Sequence, residues 1–223
     1  MTTIAERTEP IPAERRALVR RGLALNYLTL AYNVGEAVVA LTAGVGAGSV
    51  ALVGFGVDSV VEVAASGAAQ WRLRSDGDPV RRARAERRAA WWVGVSFLAL
   101  ALWVAYESAE SLWRREAPAR SPLGVVALAL SAVVMPLLAR AKRRVARALS
   151  SGALAAEATQ TALCAYLSVI ALAGVGVNAL LGWWWADAVA ALAMTPIIAR
   201  EGVEGLRGRD PCAECACHAE RAR

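Results

Sequence analysis

Apolar residues in this chain fall into six long runs, separated by short segments rich in arginine. The runs lie at roughly 18–42, 49–71, 89–112, 122–139, 152–176 and 181–199. A helix needs ~20 apolar residues to cross a hydrocarbon core, and each run approaches that length. In lipid, every backbone polar group must be paired within the segment or a closed barrel, so the runs predict helices. The expected fold is an all-α membrane protein with six transmembrane helices. The first apolar run is too long for a signal h-region and lacks a small-residue cleavage site, so it is expected to stay as the first membrane helix. The expected organisation is an N-terminal tail over 1–17, a six-helix transmembrane domain over 18–206, and a second tail over 207–223. No internal repeat stands out. Pro136 and Pro196 fall inside the fourth and sixth runs and predict kinks. Gly44, Gly46, Gly48, Gly54 and Gly56 cluster around the start of the second run and predict a tight turn with close helix approach.

Charge sets the orientation. Segments 1–21, 72–88, 140–147 and 200–223 carry 22 of the 25 Lys and Arg residues. These are alternate connections, and the positive-inside rule places both termini in the cytoplasm. Trp71, Trp91, Trp92, Trp113 and Trp183-Trp184-Trp185 sit at run ends, where aromatic belts form. The chain is 57% hydrophobic and 20% charged, with a mean hydropathy of +0.41. That composition excludes a disordered chain. The net charge of +6 does not indicate nucleic acid, because the basic residues lie between apolar runs and form no continuous face.

Polar residues at membrane depth carry the functional signal. A carboxylate there costs roughly 2.5–3.5 kcal/mol on insertion scales, so each needs a reason. In the first run Asn26, Thr29, Asn33 and Glu36 share one helix face. In the second, Asp58 and Glu62 are four apart, with Ser66 following. In the third, Ser96, Glu107 and Glu110 share a face, with both acids near the outer end. In the fifth, Gln160, Cys164 and Ser168 are four apart, flanked by Glu157 and Thr161. Asp187 lies near the outer end of the sixth. Residues four apart stack on one face, and two carboxylates so placed repel unless a cation or proton intervenes. Asp58 lies about 13 Å from the outer end of its helix and Cys164 about 18 Å from the inner end of its own. The two pairs therefore meet near mid-membrane. Asp58, Glu62, Gln160 and Cys164 then offer oxygen and thiolate donors around one ion, a set that suits Zn²⁺ or a similar transition metal.

Plainer readings stand beside these. Asp58 and Glu62 are also compatible with a protonated, hydrogen-bonded pair, Cys164 with a small core residue, and Gln160 with helix–helix hydrogen bonding. Asn33 and Glu36 are either a vestibule or a bridge between helices. Glu107, Glu110 and Asp187 fit interfacial solvation, and Glu157 fits either an acid at the cytoplasmic entrance or a solvated helix end.

The motifs resemble a known family. Gly48-Ser49-Val50-Ala51-Leu52 leading into Asp58-Ser59-Val60-Val61-Glu62 is similar to the second helix of cation diffusion facilitator transporters. Ser151 to Cys164, with Ala156-Glu157-Ala158-Thr159-Gln160, is similar to that family's fifth helix. Asn33 and Glu36, and Trp185-Ala186-Asp187, fit its first and sixth. The resemblance covers about residues 18–206. It implies exchange of a divalent metal for protons, with ligands at Asp58, Glu62, Gln160 and Cys164. The family usually has Asp at the position of Glu62, Asp or His at that of Gln160, and Asp at that of Cys164. The sulfur here favours a softer ion than Mn²⁺. The family's cytoplasmic metal-binding domain has no counterpart in this sequence, which looks like a short branch. That domain helps the family dimerise, so a homodimer is left as one open assembly.

The tail holds a second candidate. Cys212, Cys215, Cys217 and His218 lie within seven residues. A cytoplasmic location keeps thiols reduced, and three thiolates with one imidazole complete a tetrahedral zinc shell. An incidentally Cys-rich end is the alternative.

The expected function is efflux of a divalent transition-metal cation, zinc first, by proton antiport with alternating access. Asn33, Glu36, Glu157, Thr161 and Asp187 are expected as accessory or pathway residues. No prosthetic group is expected; the partners are the metal ion, protons and the lipid bilayer of a bacterial-type inner membrane. A membrane metal sensor or buffer is the rival. An intramembrane enzyme is weaker, because no His cluster or Ser/Lys pair lies within the runs.

Overall fold

A computed structural model describes residues 13–74, 79–149 and 152–207. All of the regular structure among them is helical: α1 (Ala13–Ala47), α2 (Val50–Arg74), α3 (Pro79–Arg114), α4 (Pro122–Leu149), α5 (Gly152–Leu181) and α6 (Ala186–Leu206). The first five predicted runs lie almost wholly within one helix each, the sixth starts five residues before α6, and the helices are longer than the runs. The segment after the fourth run is not a loop, because α4 continues through Arg140 and Lys142 to Leu149. Ala, Arg, Lys and Leu are strong helix formers, so the helix persists where hydrophobicity stops. The arginine-rich segment 72–88 is likewise mostly helix, belonging to the ends of α2 and α3. Pro136 and Pro196 lie inside α4 and α6 without ending either.

Among the described residues, four helical stretches are long and apolar enough to cross a membrane by length and composition: Arg16–Ala47, Trp91–Arg114, Pro122–Leu149 and Glu157–Leu181. Helices α2 and α6 complete the six. The molecule is an all-α membrane protein.

The helices pack as a closed ring in the order α1, α2, α3, α6, α5, α4, and α2 also meets α5 and α6 across the middle. Small residues make this possible. A Cβ on Gly202 of α6 would stand 2.7 Å from Leu98 of α3, and one on Gly94 would stand 2.7 Å from the Gly202 carbonyl. The α3 and α6 backbones thus touch almost directly, as small residues permit in membrane bundles. The α1–α2 connection is as tight as the glycine cluster predicts. Gly48 takes φ +67°, a conformation that costs a residue without Cβ little, and α2 starts two residues later.

Phe55, Leu52, Leu128, Met135, Met194 and Ile198 fill the interior. Large apolar side chains such as Leu102, Tyr106, Val126 and Leu180 face outward, as expected where the surroundings are lipid.

Candidate functional site

The centre of the ring holds part of the polar set that sequence placed at membrane depth. On α2, Asp58 and Glu62 lie one turn apart on the inward face, at 3% and 6% exposure. On α5, Cys164 is fully buried. One donor atom from each of Asp58, Glu62 and Cys164 lies within 4.8 Å of the other two. A tetrahedral zinc shell with bonds of about 2.0–2.3 Å would put donors about 3.5 Å apart, a spacing that falls within that 4.8 Å limit. Gln160, one turn below Cys164 on α5, lines the same cavity with Asp58, Glu62 and Cys164. That cavity is small, about 10 Å³, room for roughly one water-sized species.

A shell of hydrogen bonds holds Glu62. Asn33 Nδ2 of α1 donates to Glu62 Oε2 at 2.9 Å. Glu36, one turn further along α1, accepts from Ser59 Oγ of α2 at 3.1 Å. The face of α1 read from sequence thus bridges to α2 and orients the carboxylate that reaches the cavity. Asp58 takes no side-chain hydrogen bond among the described residues, although it is almost wholly buried. Two carboxylates held together away from water carry strong mutual repulsion, which a bound dication or protons relieve.

Glu157 and Thr161 serve a different group. Lys142 of α4 is fully buried, and its Nζ donates to Thr161 Oγ1 at 3.1 Å, Asn26 Oδ1 at 3.3 Å and Glu157 Oε2 at 3.4 Å. Sequence counted Lys142 among the basic residues of a loop and missed this role. One signal was present: it is the only lysine of the chain, all other cationic side chains being arginine or the single histidine. Glu201 was missed as well. It lies on α6 in a segment assigned to the tail side of the membrane, and it lines the central cavity.

Asp187 is not a solvated interfacial acid. It is 2% exposed, accepts from Ser49 Oγ at 2.5 Å, and accepts from the Ala51 amide at 3.3 Å. Ser49 Oγ in turn accepts from the Leu52 amide at 3.1 Å. The pair satisfies the otherwise unpaired amides that open α2, and a carboxylate there is favoured by the helix dipole. This cap lies about 10 Å along α2 from Asp58, away from the central cavity. Glu110 pairs with Arg114 at 2.5 Å, as a helix-surface pair rather than part of the cluster. Residues 212–218 of the tail lie outside the described residues.

Six helices closing around a buried cluster of acids and a thiol define a polytopic membrane protein with one polar centre. The family model described as the cation efflux transmembrane domain matches residues 27–207, which takes in all six helices in whole or in part. The chain belongs to the cation efflux, or cation diffusion facilitator, superfamily, whose members are metal-cation transporters rather than enzymes. A search of curated proteins finds no match.

Proposed function

We propose that the protein exports a divalent transition-metal cation, zinc first, in exchange for protons by alternating access. The observation that carries this reading is the convergence of Asp58, Glu62 and Cys164 donors within 4.8 Å inside a membrane bundle. Two carboxylates supply the negative charge that a dication needs when it leaves water. A thiolate selects borderline-soft ions such as Zn²⁺ over Mg²⁺ or Mn²⁺, and Gln160 completes a four-donor set. The metal enters from the cytoplasm, binds between α2 and α5, and is released outside as protons take its place on the acids. Asn33 and Glu36 position Glu62 and α2. The arginine distribution supports cytoplasmic termini, and a bacterial-type inner membrane fits that topology.

Purified protein in sealed vesicles tests this reading. Zinc movement against an imposed pH gradient, with opposite proton movement, is the expected result. Zinc binding without flux would favour the rival function of membrane sensor or buffer.

A further inference from the structure

The central cavity has one charged lining residue that is neither on α2 nor on α5. Glu201 of α6 faces it with Asp58, Glu62, Gln160 and Cys164. The same side chain also lines a second space, a groove of about 350 Å³ between α5 and α6, bordered by Thr159, Tyr166, Pro196, Arg200 and Glu204. Leu163, Ile197 and Glu201 line both spaces, and Glu201 is the only ionisable group of the three. The groove lies along the half of α5 and α6 that the charge pattern puts on the cytoplasmic side.

Local structure explains how Glu201 comes to face both. Ile197 and Glu201 are four apart and share a face of α6. Gly202, the next residue, presses on α3 at Leu98 and Gly94 and fixes the rotation of the helix. The Arg200 guanidinium makes its ion pair with Glu204, at 2.8 Å, rather than with Glu201. Glu201 itself makes no hydrogen bond or ion pair with another described residue. At the inner end of the route stands Asp58, buried and without a side-chain hydrogen bond, lining the cavity. An unpaired carboxylate thus lies at each end of a short step.

We propose that Glu201 is a hand-over ligand, a carboxylate that takes a divalent cation from the groove between α5 and α6 and passes it to Asp58 and Glu62. The proposal rests on the central site described above and adds its entrance. A single carboxylate suits the task. It attracts a dication electrostatically, and one oxygen ligand releases the ion more readily than a closed shell does. Cys164 and the paired acids of α2 then hold it more firmly.

Cobalt(II) tests the proposal without relying on transport, because a Co²⁺–thiolate bond gives a charge-transfer absorption band. Cys212→Ser, Cys215→Ser and Cys217→Ser together leave Cys164 as the only thiol. In that background, rapid mixing with Co²⁺ reports arrival at the central site. Glu201→Gln should slow the association rate about tenfold and leave the final band unchanged in position and amplitude. Glu201→Asp should restore much of the rate. An unchanged rate in Glu201→Gln would overturn the hand-over role. A shifted or lost band in that variant would also overturn it, by making Glu201 a ligand of the final site. Absence of the band in protein that retains Glu201 would overturn the central-site reading and the hand-over together. A normal band with no zinc flux would leave the hand-over intact and count against export alone.

Discussion

Lys142 shows how much a single side chain can depend on its partner. Its ammonium is fully buried, whereas the Glu157 side chain is 26% exposed. The two partners are therefore unequal. Removing Glu157 leaves a buried ammonium whose remaining hydrogen-bond partners, Asn26 and Thr161, are neutral. Removing Lys142 leaves a carboxylate that water can still reach. We predict that Glu157→Ala costs about 3 kcal/mol, the usual penalty for stranding a buried charge. Lys142→Met, which keeps the length of the side chain and removes the charge, should cost clearly less. Thermal unfolding of the two variants in the same detergent measures the order, and equal losses would contradict it. Cys164 carries a second prediction at this scale. Cys164→Ser replaces a soft donor with a hard one, so zinc preference over manganese should fall while transport persists. Competition between the two ions in a flux assay reads this directly. An unchanged preference would mean that the sulfur does not touch the ion.

The legibility of these residues from sequence followed their spacing. Asp58 with Glu62, and Gln160 with Cys164, are four apart, and helical geometry puts each pair on one face. Asn33 lies on the predicted face of α1, and its bond to Glu62 follows from that face. Lys142 and Asp187 were misread because their partners lie on other helices, and Glu201 was missed because the cavity it lines is built with residues of α2 and α5. Asp187 and Ser49 are 138 residues apart, and nothing in a helical period links them. A charge beyond an apolar run reads as loop until the helix is known to continue, and this concealed Lys142.

At the scale of elements, sequence located all six helices and underestimated their lengths. Hydrophobicity reports where lipid ends, whereas helix propensity decides where the helix ends, and the Ala- and Arg-rich flanks are good helix formers. Helix contacts depend on small residues. The α3 and α6 backbones approach closely at Gly94 and Gly202, where a Cβ on Gly94 would stand 2.7 Å from the Gly202 carbonyl. Gly202→Leu should force these helices apart at a cost of about 1–3 kcal/mol, the usual range for overpacking. It should also displace Glu201 from the central cavity. A lowered unfolding temperature is the expected result, and an unchanged one would show that the close approach is not required.

For the whole molecule, the ring order brings α2 against α5 and α6 in the middle, so the proposed ion-binding groups and their proposed entrance lie on three different helices. Alternating access requires that these helices move relative to one another while the donors stay together on one side. The orientation of the whole assembly rests on arginine placement. Arg81→Cys and Arg143→Cys should resist a membrane-impermeant thiol reagent added from outside and react once the membrane is opened. External labelling of either would invert the topology and with it the direction of export.

The central claim is that one buried cluster carries the ion. Zinc flux into sealed vesicles by Asp58→Ala, compared with the unaltered protein at matched protein content, tests it most directly. The remaining donors then lack one of the two carboxylates that balance a dication, and flux should fall to the level of empty vesicles. Flux equal to that of the unaltered protein would contradict the account, because the ion would have to cross by a route that does not use the site.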